Sequence, residues 1–312
     1  NSNRAQFLVV DRPGFAYPLN GTFSRYGRQM GIYARGNLGK LNYRMSVTKP
    51  FKAGTDSISS PFTTERANEN FAVKGYFSWQ FFDKENSMFP YFTMNNLGRK
   101  KILNVGAGFY YHPEAMLVEA EKDLSTVDPM LAAILIAAGS EHLLPHFAGY
   151  YPSQISDIFI AAADVFFDLP LRNNGAVTSY LSYIYNFFGP NYLRSMSKMN
   201  VSRMQATMAL PQGTGNSEWE IGTGHIFRGE FGYLLPGTGW RNRFQPYAAF
   251  TWKNFDALDE ASLQFDAGLN WFLNGHNMKW TLQYSSRPIY VEFENRNIID
   301  NYKGQIILQT QI

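Results

Sequence analysis

The stretch from Ala261 to Tyr284, ASLQFDAGLNWFLNGHNMKWTLQY, constrains the fold more than any other. Ala261, Leu263, Phe265, Ala267, Leu269, Trp271 and Leu273 alternate with Ser262, Gln264, Asp266, Gly268 and Asn270. After Asn274-Gly275-His276-Asn277 the alternation resumes, with Met278, Trp280, Leu282 and Tyr284 set against Lys279, Thr281, Gln283 and Ser285. A side-chain period of two on both sides of a short turn predicts a long antiparallel hairpin. One face of it is apolar throughout. The other is polar or small, with Phe272 beside the turn as the exception. Two settings suit such a hairpin. In a soluble sandwich the apolar face meets a second sheet; in an outer-membrane barrel it meets lipid and the polar face meets water.

The same alternation recurs along the chain. It starts at Met30, Ile32 and Ala34 against Tyr33 and Arg35, and ends at Ile306 and Leu308 against Gln305 and Gln309. Counting the runs gives about eleven long strands, antiparallel by connection. Short connections fall at residues 37–40, 170–175, 236–242 and 274–277; longer ones fall at 51–68, 113–155, 189–223 and 288–300, with 255–260 a shorter member and 83–100 less regular. Short turns at one end and long loops at the other are the asymmetry of outer-membrane barrels. Trp79, Trp252, Trp271 and Trp280 are placed for an aromatic girdle at the membrane interfaces. The fold class expected is therefore all-β: a transmembrane antiparallel up-and-down β-barrel, one domain over residues 1–312. An outer-loop insertion at 117–155 carries a helix within 127–144, starting near Pro129 and stopping before Pro145. With short turns on the periplasmic side, residues 1–27 form an outer loop and the C-terminus is periplasmic. Barrels of even strand number with both ends inside then require an odd number of strands before Asn1, roughly sixteen in all.

Composition removes other classes. No apolar run reaches the roughly 18 residues of a transmembrane helix. A net charge of +3 gives no argument for nucleic acid, and the absence of cysteine excludes disulfides and cysteine-based metal sites. No signal peptide opens the chain, so Asn1 reads as a mature or trimmed terminus.

Several segments resemble the porin family of Bacteroidota, related to the phosphate-selective porins O and P. They are Tyr33-Ala-Arg-Gly-Asn-Leu-Gly-Lys-Leu-Asn-Tyr-Arg44 with Thr48-Lys-Pro50, Asn104-Val-Gly-Ala-Gly-Phe109 and Ala163-Asp-Val-Phe-Phe-Asp168. Phe188-Gly-Pro-Asn-Tyr192, Asp266-Ala-Gly-Leu-Asn-Trp271 and Gly275-His-Asn277 continue the series in the same order. The resemblance covers nearly all of the chain. It implies an outer-membrane pore and a further N-terminal part, and it names no solute. Residues 117–155 depart from it as an insertion, and the end Gln309-Thr-Gln-Ile312 departs by lacking a terminal aromatic.

Little in the chain points to catalysis. His142 and His146 beside Glu141 have a helical spacing, but the HExxH order is absent and Pro145 interrupts the helix, so they read as loop histidines. His112, His225 and His276 are assigned to the rims. A barrel phospholipase would need a serine at fixed spacing from His225, and no GxSxG turn is present. Gly213-Thr-Gly215 and Gly222-Thr-Gly224 follow no strand into a helix and read as loop residues. No catalytic residue, metal or cofactor is expected.

The charges carry more. By parity the water-facing side bears Arg35, Arg44, Lys74, Arg228, Arg243, Lys253, Lys279, Arg287 and Lys303, with Asp164, Asp168, Glu230 and Asp266 as its acids. The central part of the lipid-facing side bears no charge, as a cost of about 2–4 kcal/mol for a midplane Arg or Lys demands. The function expected is an outer-membrane porin for passive diffusion of small solutes, with a modest anion preference and no enzymatic activity. Outer-membrane lipid and lipopolysaccharide surround it, and a homo-oligomer or an envelope protein complex is its expected assembly. The rival is a structural or partner-binding outer-membrane barrel with a filled interior. The helical insertion favours the rival, while small polar-face residues (Gly106, Gly108, Gly268, Asn270) favour an open pore.

Overall fold

The computed structural model describes residues 8–10, 15, 19, 29–50, 63–65, 70–85, 95–118, 122–123, 127–140, 143–144, 149–150, 154–197, 217–239, 241–293 and 296–311. In chain order the elements are β1 (Met30–Leu38), β2 (Leu41–Lys49), β3 (Thr63–Glu65), β4 (Ala72–Gln80), β5 (Ile102–Val118), β6 (Lys122–Asp123), α1 (Pro129–Ala137) and β7 (Gly149–Tyr150). There follow β8 (Gln154–Pro170), β9 (Ala176–Phe187), β10 (Leu193–Ser197), β11 (Ser217–Gly222), β12 (Gly224–Leu234), β13 (Arg243–Phe255), β14 (Ser262–Phe272), β15 (Lys279–Phe293) and β16 (Arg296–Gln311).

The chain is nearly all antiparallel sheet. Its long strands pair up and down in the order β1-β2-β4-β5-β8-β9-β12-β13-β14-β15-β16, and the sheet's two ends are β1 and β16. The small strand β3 pairs with the top of β5, while β6–β7 and β10–β11 form separate two-stranded ribbons in the longer connections. No described helix is long and apolar enough to cross a membrane, which says nothing of strands.

Alternation sets the faces, and solvent exposure follows them in the reverse of the usual sense. Leu263, Phe265 and Leu269 on β14 are exposed, whereas Ser262, Gln264, Asp266 and Asn270 are buried. Neighbouring strands repeat this: Trp280, Leu282 and Tyr284 are exposed, while Lys279, Thr281, Gln283 and Ser285 are buried. Cross-strand partners keep like with like, since Leu269 opposes Leu282 and Leu282 opposes Leu308. The sheet therefore curls around its polar face. Asn95, in the connection between β4 and β5, reaches Gln245 on β13 with a 2.7 Å hydrogen bond, although β8, β9 and β12 lie between β5 and β13 in the sheet.

Two expectations are corrected. The long connection at 288–300 is instead a continuation of the last hairpin: Pro288 opposes Tyr302, Tyr290 opposes Ile299, and Phe293 opposes Arg296. A register shift between Ile289 and Tyr290 absorbs the irregularity that hid the alternation there. The helix of the insertion is shorter than 127–144. Asp128 caps it by accepting from the Met130 and Leu131 amides, and it stops at Ala137, where Gly139 takes a left-handed φ of 66° and its amide bonds back to the Ile136 carbonyl. The connection between β4 and β5 lies at the short-turn end yet is long, because its described part turns inward (below).

Candidate functional site: the inward polar face

The nine cations and four acids read from parity are carried by the strands, but their surroundings divide them into groups. On the central strands, cations are held against acids. The Arg228 guanidinium donates to Glu230 at 2.7 Å and to Thr251 at 2.6 Å, with Asp266 at 3.9 Å. Lys253, 1% exposed, donates to the Trp219 carbonyl at 2.8 Å and lies 3.7 Å from Glu220. Charges this deeply buried persist only when paired and hydrogen-bonded. Asp164 accepts from the Tyr76 hydroxyl at 3.0 Å, and Asp168 accepts from Thr178 at 2.9 Å and from the Asn96 amide at 2.6 Å.

A second group works at the short-turn end. Arg243 donates to the carbonyls of Gly239, Asn174 and Leu235, and so ties two adjacent turns together. Lys279, fully buried, lies 5.9 Å from the centre of the Phe272 ring.

The third group sits near the two ends of the sheet, where cations oppose cations. Arg35 is the direct partner of Arg44 across β1 and β2, and Arg287 is the direct partner of Lys303 across β15 and β16. Like charges directly opposite repel. Arg35, Arg44 and Lys74 also line a cavity of about 750 Å³ together with Tyr33, Tyr76 and Tyr110. Lys74 donates there to the Gln29 side chain at 3.2 Å.

The small residues Gly106, Gly108 and Gly268 each have a tyrosine packed against them. Tyr76 is the cross-strand partner of Gly108; a side chain at Gly106 would collide with the Tyr76 phenol, and one at Gly108 would meet the Gly75 carbonyl at 2.9 Å and the Tyr76 ring at 3.1 Å. Tyr247 opposes Gly268, where a Cβ would stand 2.5 Å from the phenol oxygen. Each tyrosine lies flat over a glycine, the cross-strand pairing that glycine in a strand invites.

Two further segments occupy the polar face. Leu8, Val9 and Val10 are almost wholly buried there: the Val10 amide donates to Gln283 at 2.9 Å, and the Asn270 side chain donates to the Leu8 carbonyl at 2.9 Å. Residues 1–27 were expected as an outer loop, and this described part of them packs on the polar face of the sheet. At the short-turn end, Asn95 meets Gln245, the Asn95 carbonyl lies 2.8 Å from His276, and Leu97 packs with Ala176, Leu234 and Phe272. Phe272, the one apolar residue out of phase in the last hairpin, is thereby accounted for.

The opposite face is aromatic at its short-turn edge. Phe244 stacks on Trp271 at 5.5 Å, and Trp271 meets Trp280 edge-on at 5.4 Å, while Trp79 is exposed at the same end of β4. Trp252 lies toward the long-loop end of β13. His225 is also on this face, 2.7 Å from the Tyr183 hydroxyl, stacked on the Tyr183 ring and in tilted contact with Tyr185 at 5.1 Å. His112 is buried beside Tyr110. Glu141, His142 and His146 lie outside the described residues, as do 213–215. Among the described residues no three His, Asp or Glu side chains come together as metal ligands would.

Nothing in the sequence pattern marked Gln245, Gln283, Tyr247 and Asn95 as the anchors of this face. Their only trace was the tyrosine-opposite-glycine register and the misplaced Phe272. Neither family models, curated proteins nor solved structures give a match to this chain.

Proposed function

We propose that this chain forms wall of an outer-membrane barrel that passes small solutes by diffusion, with a modest preference for anions. The observation that carries the reading is the inversion of burial: large apolar side chains crowd the exposed face, and charged ones fill the buried face. Water does not stabilise an exposed band such as Ile32, Leu263, Leu282 and Leu308, whereas lipid does. The tryptophan row at one edge of that band fits an interface with headgroups, lipopolysaccharide included. Anion preference rests on the places near the sheet ends where cation is set directly against cation, Arg35 against Arg44 and Arg287 against Lys303.

A second reading has an observation of its own. Leu8–Val10 and Asn95–Leu97 sit on the face that a pore needs open, as in a barrel serving as a structural or partner-binding component of an envelope complex, or of a homo-oligomer. Reconstitution of the full protein into planar bilayers separates the two. A porin gives discrete conductance steps and, under a salt gradient, a zero-current potential of anion-selective sign; a filled structural barrel gives neither.

A further inference from the structure

The central polar strands hold a piece of the chain itself in a made-to-measure seat. Tyr247 stands between two glycine partners, Gly232 on β12 and Gly268 on β14. Its phenol leans over Gly268 and donates to Gln283 at 2.6 Å, so of the sheet's side chains it is Gln245 that borders the space over Gly232, its Nε2 3.2 Å from where a Cβ would stand. Leu8 fills that space, since a Cβ on Gly232 would stand 2.7 Å from Leu8 Cδ2. Leu8 and Val9 pack on Tyr247 and Ala249.

The backbone of the segment is read as well. Gln283 accepts from both the Val10 amide and the Tyr247 hydroxyl, and its own amide group donates to Asp266 and Ser285. Asn270 donates to the Leu8 carbonyl and accepts from Thr281. Side chains of β13, β14 and β15 thus converge on three residues, over the open backbone of Gly232 on β12. Two later residues of the same segment are anchored in turn. Phe15 is buried among Leu193, Trp219, Ile226, Phe255, Leu258 and Tyr290. Leu19 packs beside Tyr110 and Ile160 and walls the cavity that Arg35, Arg44 and Lys74 line.

We propose that the polar face of β12–β15 is a receptor for an extended apolar peptide, and that the chain's own N-terminal segment, held by Leu8–Val10, Phe15 and Leu19, is a releasable strap that narrows the passage. This rests on the porin reading. The strap's chemistry suits release. Its described residues are held by two backbone hydrogen bonds and a few apolar side chains, and they reach the Arg228–Glu230–Asp266 ion cluster only through Gln283, which donates to Asp266. A segment that can leave without breaking its receptor is an order–disorder element of the kind that gates other proteins.

The chain has no cysteine, so a paired substitution is clean. Leu8→Cys with Gly232→Cys should form a disulfide on mild oxidation of the full protein in membranes, seen as a mobility shift that reductant reverses. In planar bilayers the oxidised pair should hold the low conductance level, and reduction should restore the parent's behaviour. Leu8→Ser with Phe15→Ser, which loosens two anchors and leaves the sheet intact, should raise single-channel conductance at least about twofold. If the disulfide does not form while both single cysteine variants conduct like the parent, the seat is wrong and the porin reading stands. If it forms but oxidation, reduction and the serine pair all leave conductance unchanged, the strap is structural and the gating proposal is overturned. If the disulfide forms and no variant conducts, the porin reading falls and takes the gating role with it.

Discussion

Gln245 and Asn270 are direct partners across β13 and β14, and each secures a different interior segment: Gln245 accepts from Asn95, and Asn270 donates to the Leu8 carbonyl. Two polar side chains facing each other in a sheet would ordinarily bond to one another or to water. Here they serve as the meeting point of residues 150 and 262 positions away. The polar face is thus both the wall of the sheet and the scaffold for what lies inside it. Local substitutions on this face should have two separable effects, one on the strands and one on the segments they hold.

The orientation of the sheet is tested by neighbours on β16. Leu308 is exposed in the row Leu269–Leu282–Leu308, and Gln309 points the other way. Leu308→Arg should impair folding into bilayers, at a cost of up to about 2–4 kcal/mol at the midplane, whereas Gln309→Arg should be tolerated. The measurement is the fraction reaching the heat-resistant folded form in lipid vesicles. Equal yields at the two positions would refute the lipid-facing assignment.

The faces themselves were legible because a strand has a period of two, and a single misplaced residue is enough to flag a break in it. Leu263, Phe265 and Leu269 announce their face without reference to anything distant. The interior could not be read in the same way. Leu8 and Gln283, or Asn95 and Gln245, are joined by chain closure over long distances, and nothing local in either partner encodes the contact. Charge counting is blind to surroundings for a related reason. Nine cations against four acids counts Arg228 and Arg35 alike, yet the first is locked between Glu230 and Asp266 while the second faces Arg44.

Arg228 is expected to matter for stability and little for selectivity. Replacing it with Met leaves Glu230 and Asp266 buried without their cation, and breaking a buried pair in this way costs about 3–5 kcal/mol. Chemical unfolding of the variant in lipid should reveal the loss. The triple change Arg228→Met, Glu230→Gln, Asp266→Asn should recover much of it, because no uncompensated charge is then left inside. A triple variant as unstable as the single one would mean that the cluster is not held by charge pairing.

Selectivity should instead respond to the cations at the β1 end. Arg35→Glu with Lys74→Glu places two acids in the cavity beside Arg44, and low-dielectric walls focus the altered field. The zero-current potential of the full protein under a salt gradient should move toward the cation-selective sign. Lys253→Gln, which removes a cation already held by Glu220 and the Trp219 carbonyl, should leave the potential where it was. If Lys253 and not the Arg35–Lys74 pair shifts the potential, the division of the charges by location is wrong.

Phe272 offers a test of the other interior segment. It is fully buried at the short-turn end, where it packs with Leu97, Ala176 and Leu234 and meets the His276 ring edge-on at 5.8 Å. Leu97 and Gly98 hold left-handed backbone angles, φ 52° and 75°, so the segment turns tightly at the point where Phe272 supports it. Phe272→Ala opens a cavity beneath that turn and should destabilise the protein by about 3–5 kcal/mol, the usual cost of deleting a buried aromatic ring. Phe272→Leu, which refills most of the space, should cost much less. The segment reports its own state, because protease added from the short-turn side should cut near Leu97 faster in the alanine variant while the strands stay resistant. Uniform cleavage across β13–β15 would mean that Phe272 supports the sheet as a whole, and an unchanged cleavage rate would mean that the inward turn does not depend on it.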